Sequence, residues 1–161
     1  MPPRIDLSAF ECSVARTLEV VGDKWSLLIL RDAFYGVRRF EDFTRDLGIA
    51  RNVLTDRLNR LVGDGVLEKR RYEDHPPRHE YRLTQKGRDL LPVILTMMHW
   101  GDTHEHTGEP PITLTHDGHP THAVLTCAQC HDELTPFNVR VEPLPPVIDE
   151  VVRARTAGTA T

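Results

Sequence analysis

Residues 40–63 read FEDFTRDLGIARNVLTDRLNRLVG, and the fold turns on how this stretch divides. Phe40, Phe43 and Leu47 recur at helical spacing and stop at Gly48, a residue free to take the left-handed turn with which helices end. Leu54, Leu58 and Leu61 then line one face of a second helix over residues 50–63, while Asn52, Asp56 and Asn59 point the other way. Two helices joined at a tight glycine turn have the proportions of a helix-turn-helix.

Upstream, Val14, Leu18 and Val21 predict a first helix over residues 12–21 with Ser13 as its cap, broken at Gly22 and Asp23. The run from Trp25 to Phe34 is apolar enough for the centre of a core and ends near Gly36. Downstream, residues 66–72 and 80–83 read as short strands around a turn containing Pro76 and Pro77, a basic hairpin or wing. Thr84 is placed to cap a long helix from Gln85 to about His106, with Leu90, Leu91, Ile94, Leu95 and Met98 as its apolar stripe. Pro92 lies inside that stripe and must bend the helix or reset its start. Gly108, Pro110 and Pro111 mark a boundary, residues 112–142 read as short strands, and Val147 to Arg155 read as a final amphipathic turn or two. The expected fold is mainly α with a small β wing, a winged helix-turn-helix over residues 1–107. A short strand-rich appendage follows over residues 108–161.

The charge pattern fits a phosphate-binding middle. The chain of 161 residues has a formal net charge of -4, but residues 38–88 hold 13 basic and 9 acidic side chains, against 4 and 5 before them and 3 and 10 after. No apolar run reaches the roughly 20 residues that a membrane helix needs, and the first ten residues lack a secretory pattern, so a cytoplasmic protein is expected. In that reducing compartment Cys12, Cys127 and Cys130 suggest redox sensing or metal binding rather than a disulfide framework.

The segments CSVARTL (12–18), GDKWSLLILRD (22–32), LTDRL (54–58), GVL (65–67), RHEYRLTQKG (78–87) and WG (100–101), in this order, resemble the recurrent segments of the HxlR family of bacterial transcriptional regulators, which are MarR-like. The resemblance covers roughly residues 11–106. It implies a winged helix-turn-helix, a homodimer formed largely by terminal helices, and regulation of nearby genes through double-stranded DNA.

A helix in the major groove presents polar side chains near its N-terminal half, a condition that Arg51, Asn52, Thr55 and Asp56 meet. Arg51 could grip guanine or a phosphate, Asn52 could pair with adenine, and Thr55 could meet a thymine methyl or a phosphate. In the wing, Arg70, Arg71 and Arg78 are the stronger phosphate candidates, with Lys69 and Arg82 behind them. The alternative for all of these is a solvated charged face. Cys12 begins the first helix, where the dipole and Arg16 would favour a thiolate, and some HxlR-type regulators sense oxidants through an N-terminal cysteine. An inert cysteine at a dimer contact is the other reading.

In the tail, Cys127 and Cys130 form a CxxC pair that could hold zinc with two of His116, His119, His122 and His131, of which His119 and His122 are preferred. Tails of this type in the family carry a third cysteine before a glycine, where this chain has His116 and Asp117 ahead of Gly118. A zinc-dependent or thiol-based small enzyme is the competing function. No phosphate loop, nucleophile elbow or carboxylate pair accompanies these residues, so the chain reads as no enzyme.

Overall fold

Asp23 does more than break the first helix. In the computed structural model, which describes Leu7 and residues 12–142, its carboxylate accepts from the backbone N–H of Trp25 and of Ser26, both at 3.1 Å, and so starts the second helix. The helices are α1 (Ser13–Val21), α2 (Lys24–Phe34), α3 (Phe40–Leu47) and α4 (Arg51–Gly63), followed by strands β1 (Leu67–Glu73) and β2 (Arg78–Leu83), then α5 (Gln85–Arg88) and α6 (Leu91–His104). The expected Ser13 cap is replaced: Cys12 occupies the cap position without a side-chain hydrogen bond, and Ser13 is the first helical residue. Its carbonyl instead accepts from the Thr17 hydroxyl.

Gly48 closes α3 at φ 58, in the left-handed region, and its N–H donates to the Thr44 carbonyl. The turn that follows is short because Ala50 already begins α4. Ile29, Leu30, Phe43, Leu54, Leu58, Leu61 and Val66 are fully buried, so α2 stands behind α3 and α4 as the sequence pattern required. Burying each such leucine side chain contributes on the order of 2 kcal/mol by removing apolar surface from water.

The wing is an antiparallel pair, Leu67 opposite Leu83 and Arg71 opposite His79, with an irregularity between Arg71 and Glu73. A third backbone segment joins it, because Arg39 bridges Glu80 and the Tyr81 N–H donates to the Arg38 carbonyl at 2.8 Å. Residues 38–39 thereby tie the entrance of α3 to the wing.

Thr84 caps α5 as expected, accepting from the Gly87 N–H at 3.0 Å while its hydroxyl donates to the Gly65 carbonyl at 2.7 Å. A Cβ at position 87 would stand 2.2 Å from the Val66 carbonyl oxygen, so the close approach admits only glycine. The single long helix expected from Gln85 is instead α5 and α6, with Pro92 in the first turn of the second, where its missing N–H costs nothing.

The backbone divides into two compact units, residues 1–123 and 124–161. The first includes a small hairpin, β3 (Thr115–His116) paired with β4 (His119–Pro120). In the second, Thr126 bridges Glu133, and the Cys127 N–H donates to the Asp132 carbonyl at 2.8 Å. The amphipathic turn expected from Val147 to Arg155 lies outside the described residues.

Candidate nucleic-acid interface

The start of α4 projects Arg51, Asn52 and Thr55 into solvent, because Leu54, Leu58 and Leu61 on the opposite face are locked in the core. The three polar residues occupy adjacent positions on the exposed side of the helix. Thr55 donates its hydroxyl hydrogen to the Arg51 carbonyl at 2.8 Å, which leaves the oxygen's lone pairs free to accept. Asn52 is exposed.

Asp56 is placed differently from its three neighbours. Arg57 and Arg60 hold its carboxylate at 2.9 and 3.0 Å, and it is 30% exposed, so its charge is engaged within α4. Arg57 in turn is only 14% exposed and sits 2.9 Å from the Asp23 carboxylate, an ion pair by separation whose Nε–H is poorly aimed for a hydrogen bond. Asp23 thus couples the start of α2 to the middle of α4, a role that no local sequence signal discloses.

Between α3, α4 and the wing lies a groove of about 640 Å³, lined by Arg39, Glu41, Arg51, Thr55, Lys69, Tyr72, Arg78 and His79 among others. Arg39 extends over the Tyr72 ring, 4.9 Å from its centroid. Sequence reading missed Arg39, although it adjoins Arg38 at the head of the basic segment. Missed too was Glu41, whose carboxylate bonds Arg51 with both oxygens, at 2.7 and 2.9 Å. That bond holds the Glu41 carboxyl below the ordinary carboxylate range and raises the already high Arg51 value.

The three wing arginines singled out from sequence are exposed but carry local acidic partners: Arg70 with Glu68 at 2.7 Å, Arg71 with Asp74 at 2.9 Å, and Arg78 with Glu73 at 3.4 Å. Exposed pairs of this kind are weak and exchangeable, so a phosphate can compete for each guanidinium. Arg82 pairs with Glu80 at 2.7 Å.

Cys12 is exposed beside the first turn of α1. The CxxC segment makes a tight turn in which the His131 N–H donates to the Cys127 carbonyl at 2.9 Å and the Gln129 N–H points at the Cys127 sulfur at 3.5 Å. Hydrogen bonds from the Cys130 and Gln129 backbone, and from the Cys130 thiol, hold the Cys127 thiol below its ordinary value. Of the four preferred zinc ligands, His119 and His122 belong to the first unit and Cys127 and Cys130 to the second. His122 stacks on His99 with ring centroids 4.7 Å apart, and His119 meets His116 edge-on. Among the described residues, no three His, Cys, Asp or Glu side chains are grouped to hold a metal ion.

Among the described residues, α1 and α6 each carry an exposed apolar stripe. Val14 and Leu18 on α1 are 66% and 50% exposed, and Val93, Met97 and Trp100 on α6, spaced four and three residues apart, are 38%, 49% and 57% exposed. Among the described residues, no helix is long and apolar enough to cross a membrane.

Residues 20–109 match the HxlR-like helix-turn-helix family. The chain is 49% identical over 136 residues to the HTH-type transcriptional regulator Rv3095 of Mycobacterium tuberculosis, covering 83% of this chain and 86% of that one. This alignment is longer than the family segment, so the likeness extends past the winged helix. Among solved structures, the transcription factor PA1607 superposes with a TM-score of 0.73 at 36% identity, over 83% of this chain and 96% of its own. The redox regulator HypR, solved in reduced form, gives 0.55 at 36% identity over 58% of this chain and 94% of its own. Polar α4, buttressed wing and the shared family segment lead to one conclusion: the chain belongs to the HxlR-like helix-turn-helix family and is a transcriptional regulator, not an enzyme.

Proposed function

We propose that the chain acts as a homodimer on operator DNA, with α4 in the major groove and the wing along the flanking backbone. The observation that carries this reading is the exposed Arg51, Asn52 and Thr55 face of α4, opening onto a groove that also holds Arg39, Lys69 and Arg78. Arg51 and Asn52 read base edges, Thr55 meets a thymine methyl or a phosphate, and Arg39, Arg70, Arg71 and Arg78 take phosphates. Asp56 serves this face indirectly, by fixing Arg57 and Arg60. The uncovered stripes of α1 and α6 support a second copy as partner, since contiguous exposed apolar helix faces mark interaction surfaces.

Cys12 is the proposed redox sensor. Its exposed position next to the apolar face of α1 puts an oxidised sulfur where it would disturb the pairing of two copies. The redox regulator HypR among the structural relatives supports this assignment by likeness. All of this takes place in the cytoplasm, where a thiol starts reduced.

Genome-wide capture of DNA fragments by the purified protein tests the reading. The expected result is an inverted repeat with half-sites about one helical turn apart, or a multiple of it. Cys12→Ser is expected to bind the same sites and to keep them under peroxide, whereas the wild type releases them. Fragments without common sequence contradict the operator reading, and wild-type binding indifferent to peroxide contradicts the sensor.

A further inference from the structure

Glu41 contributes nothing to the core, being 69% exposed on the first turn of α3. Its carboxylate nevertheless takes the end of the Arg51 guanidinium squarely: Nη1–H donates to Oε2 at 2.7 Å and Nη2–H to Oε1 at 2.9 Å. The guanidinium also lies over the Phe40 ring, with its central carbon 4.8 Å from the centroid. Arg51 is thus held on its end by a carboxylate and on its face by an aromatic ring.

A guanidinium carries five N–H donors in a planar fork, arranged as two edges that each offer a pair of parallel hydrogens. Glu41 occupies the Nη1/Nη2 edge. Among the described residues no hydrogen bond engages Nε, and the donor spacing of the Nε/Nη2 edge matches the O6 and N7 acceptors of guanine in the major groove. An arginine free to rotate can grip phosphate or base in many orientations. One that is pinned at its end and face presents its open edge in a single direction, from the first residue of the helix that enters the groove.

The cost of the arrangement argues the same way. An exposed ion pair adds little to folding stability. A carboxylate on a surface that meets DNA also repels phosphates and weakens binding to every sequence. A feature that gains little stability and lowers general affinity is accounted for when it sharpens discrimination.

We propose that Glu41 is a specificity-determining positioning residue, pinning Arg51 against Phe40 so that its Nε/Nη2 edge reads one guanine in each half-site. The proposal rests on the DNA-binding reading given above.

Selection from a pool of randomised duplexes, run with the full-length wild type and with Glu41→Gln and Arg51→Lys, tests it. The wild type is expected to recover a site with a strongly preferred guanine in each half. Glu41→Gln keeps the site's other positions while preference for that guanine over the next base falls at least about fivefold, the lower range for losing a well-formed bidentate contact. Arg51→Lys keeps the charge but lacks a two-donor edge, so it relaxes the same position and leaves the salt dependence of binding in place. Relaxation at one common position is not what a folding defect or a lost general charge would produce. If Glu41→Gln instead tightens binding to all duplexes alike and recovers an unchanged site, Glu41 merely repels phosphate and the proposal is overturned. A wild type that recovers no sequence overturns the DNA-binding reading itself, a different failure read from a different protein in the same experiment.

Discussion

Asp32 sits fully inside the protein, with one carboxylate oxygen held by the Arg31 guanidinium at 2.6 and 2.9 Å and the other, Oδ2, meeting no donor. Burial pushes its carboxyl above the ordinary range; Arg31 opposes this, and the nearby Asp46 carboxylate adds to it. A carboxyl whose folded value is raised binds its proton more tightly when folded. Its contribution therefore favours the fold at low pH and is lost as pH rises through the folded value. Asp32→Asn keeps an acceptor for Arg31 without the charge, and its urea midpoint relative to wild type should climb between pH 4 and pH 7. A difference that stays flat or shrinks contradicts the account. The same scale separates the tail cysteines. Cys127, whose sulfur is favoured as a thiolate by surrounding N–H groups, should be alkylated by iodoacetamide at neutral pH ahead of Cys130, as mass spectrometry of peptides would read. Cys130 reacting first would count against the hydrogen-bonded turn. Neither expectation was open to sequence reading, since both depend on what folding brings near.

At the level of elements, periodicity carried most of the fold. Phe43, Leu54, Leu58 and Leu61 fall in the core because leucine and phenylalanine at three- and four-residue spacing have one way to be buried. Leu58→Ala should cost about 2–5 kcal/mol in chemical denaturation, the usual range for a fully buried leucine. A loss under about 1 kcal/mol would mean the α2–α4 packing is wrong. Signals that turn on one residue were read less well. Pro92 was legible as an interruption, but bend and restart look alike in sequence, and only packing chose two helices. Ser13 lost its capping role because the cap falls one residue earlier, at Cys12, and Ser13 is already the first helical residue. In the site, Arg51, Asn52 and Thr55 could be found because they lie opposite the leucines. Arg39 and Glu41 could not, since their importance comes from the wing and α4 folding across them. Replacing Arg39 with Ala should lower the slope of log affinity against log salt by about one phosphate's share, roughly 0.9. An unchanged slope would remove Arg39 from the contact surface.

For the whole molecule, the basic excess of the chain is confined to segment 38–88, which supplies α3, α4 and the wing together. The second copy proposed above rested, in the sequence, on family resemblance. The structure adds an observation that supports it: Val93, Met97 and Trp100 form an exposed apolar row on α6 beside the buried Ile94. Trp100→Glu should therefore shift sedimentation from dimer to monomer and weaken operator binding together, since each half-site then binds without help from the other. If two copies read one duplex both electrostatically and by sequence, stoichiometry, salt dependence and discrimination must appear together in a single titration. That titration follows the fluorescence anisotropy of a labelled duplex bearing the selected inverted repeat as protein is added at several salt concentrations. The expected result is two chains per duplex, an affinity that falls steeply and log-linearly with salt, and at least about a thousandfold weaker binding to unrelated duplex. One chain per duplex, or affinity that ignores both salt and sequence, would rule out a dimeric operator reader.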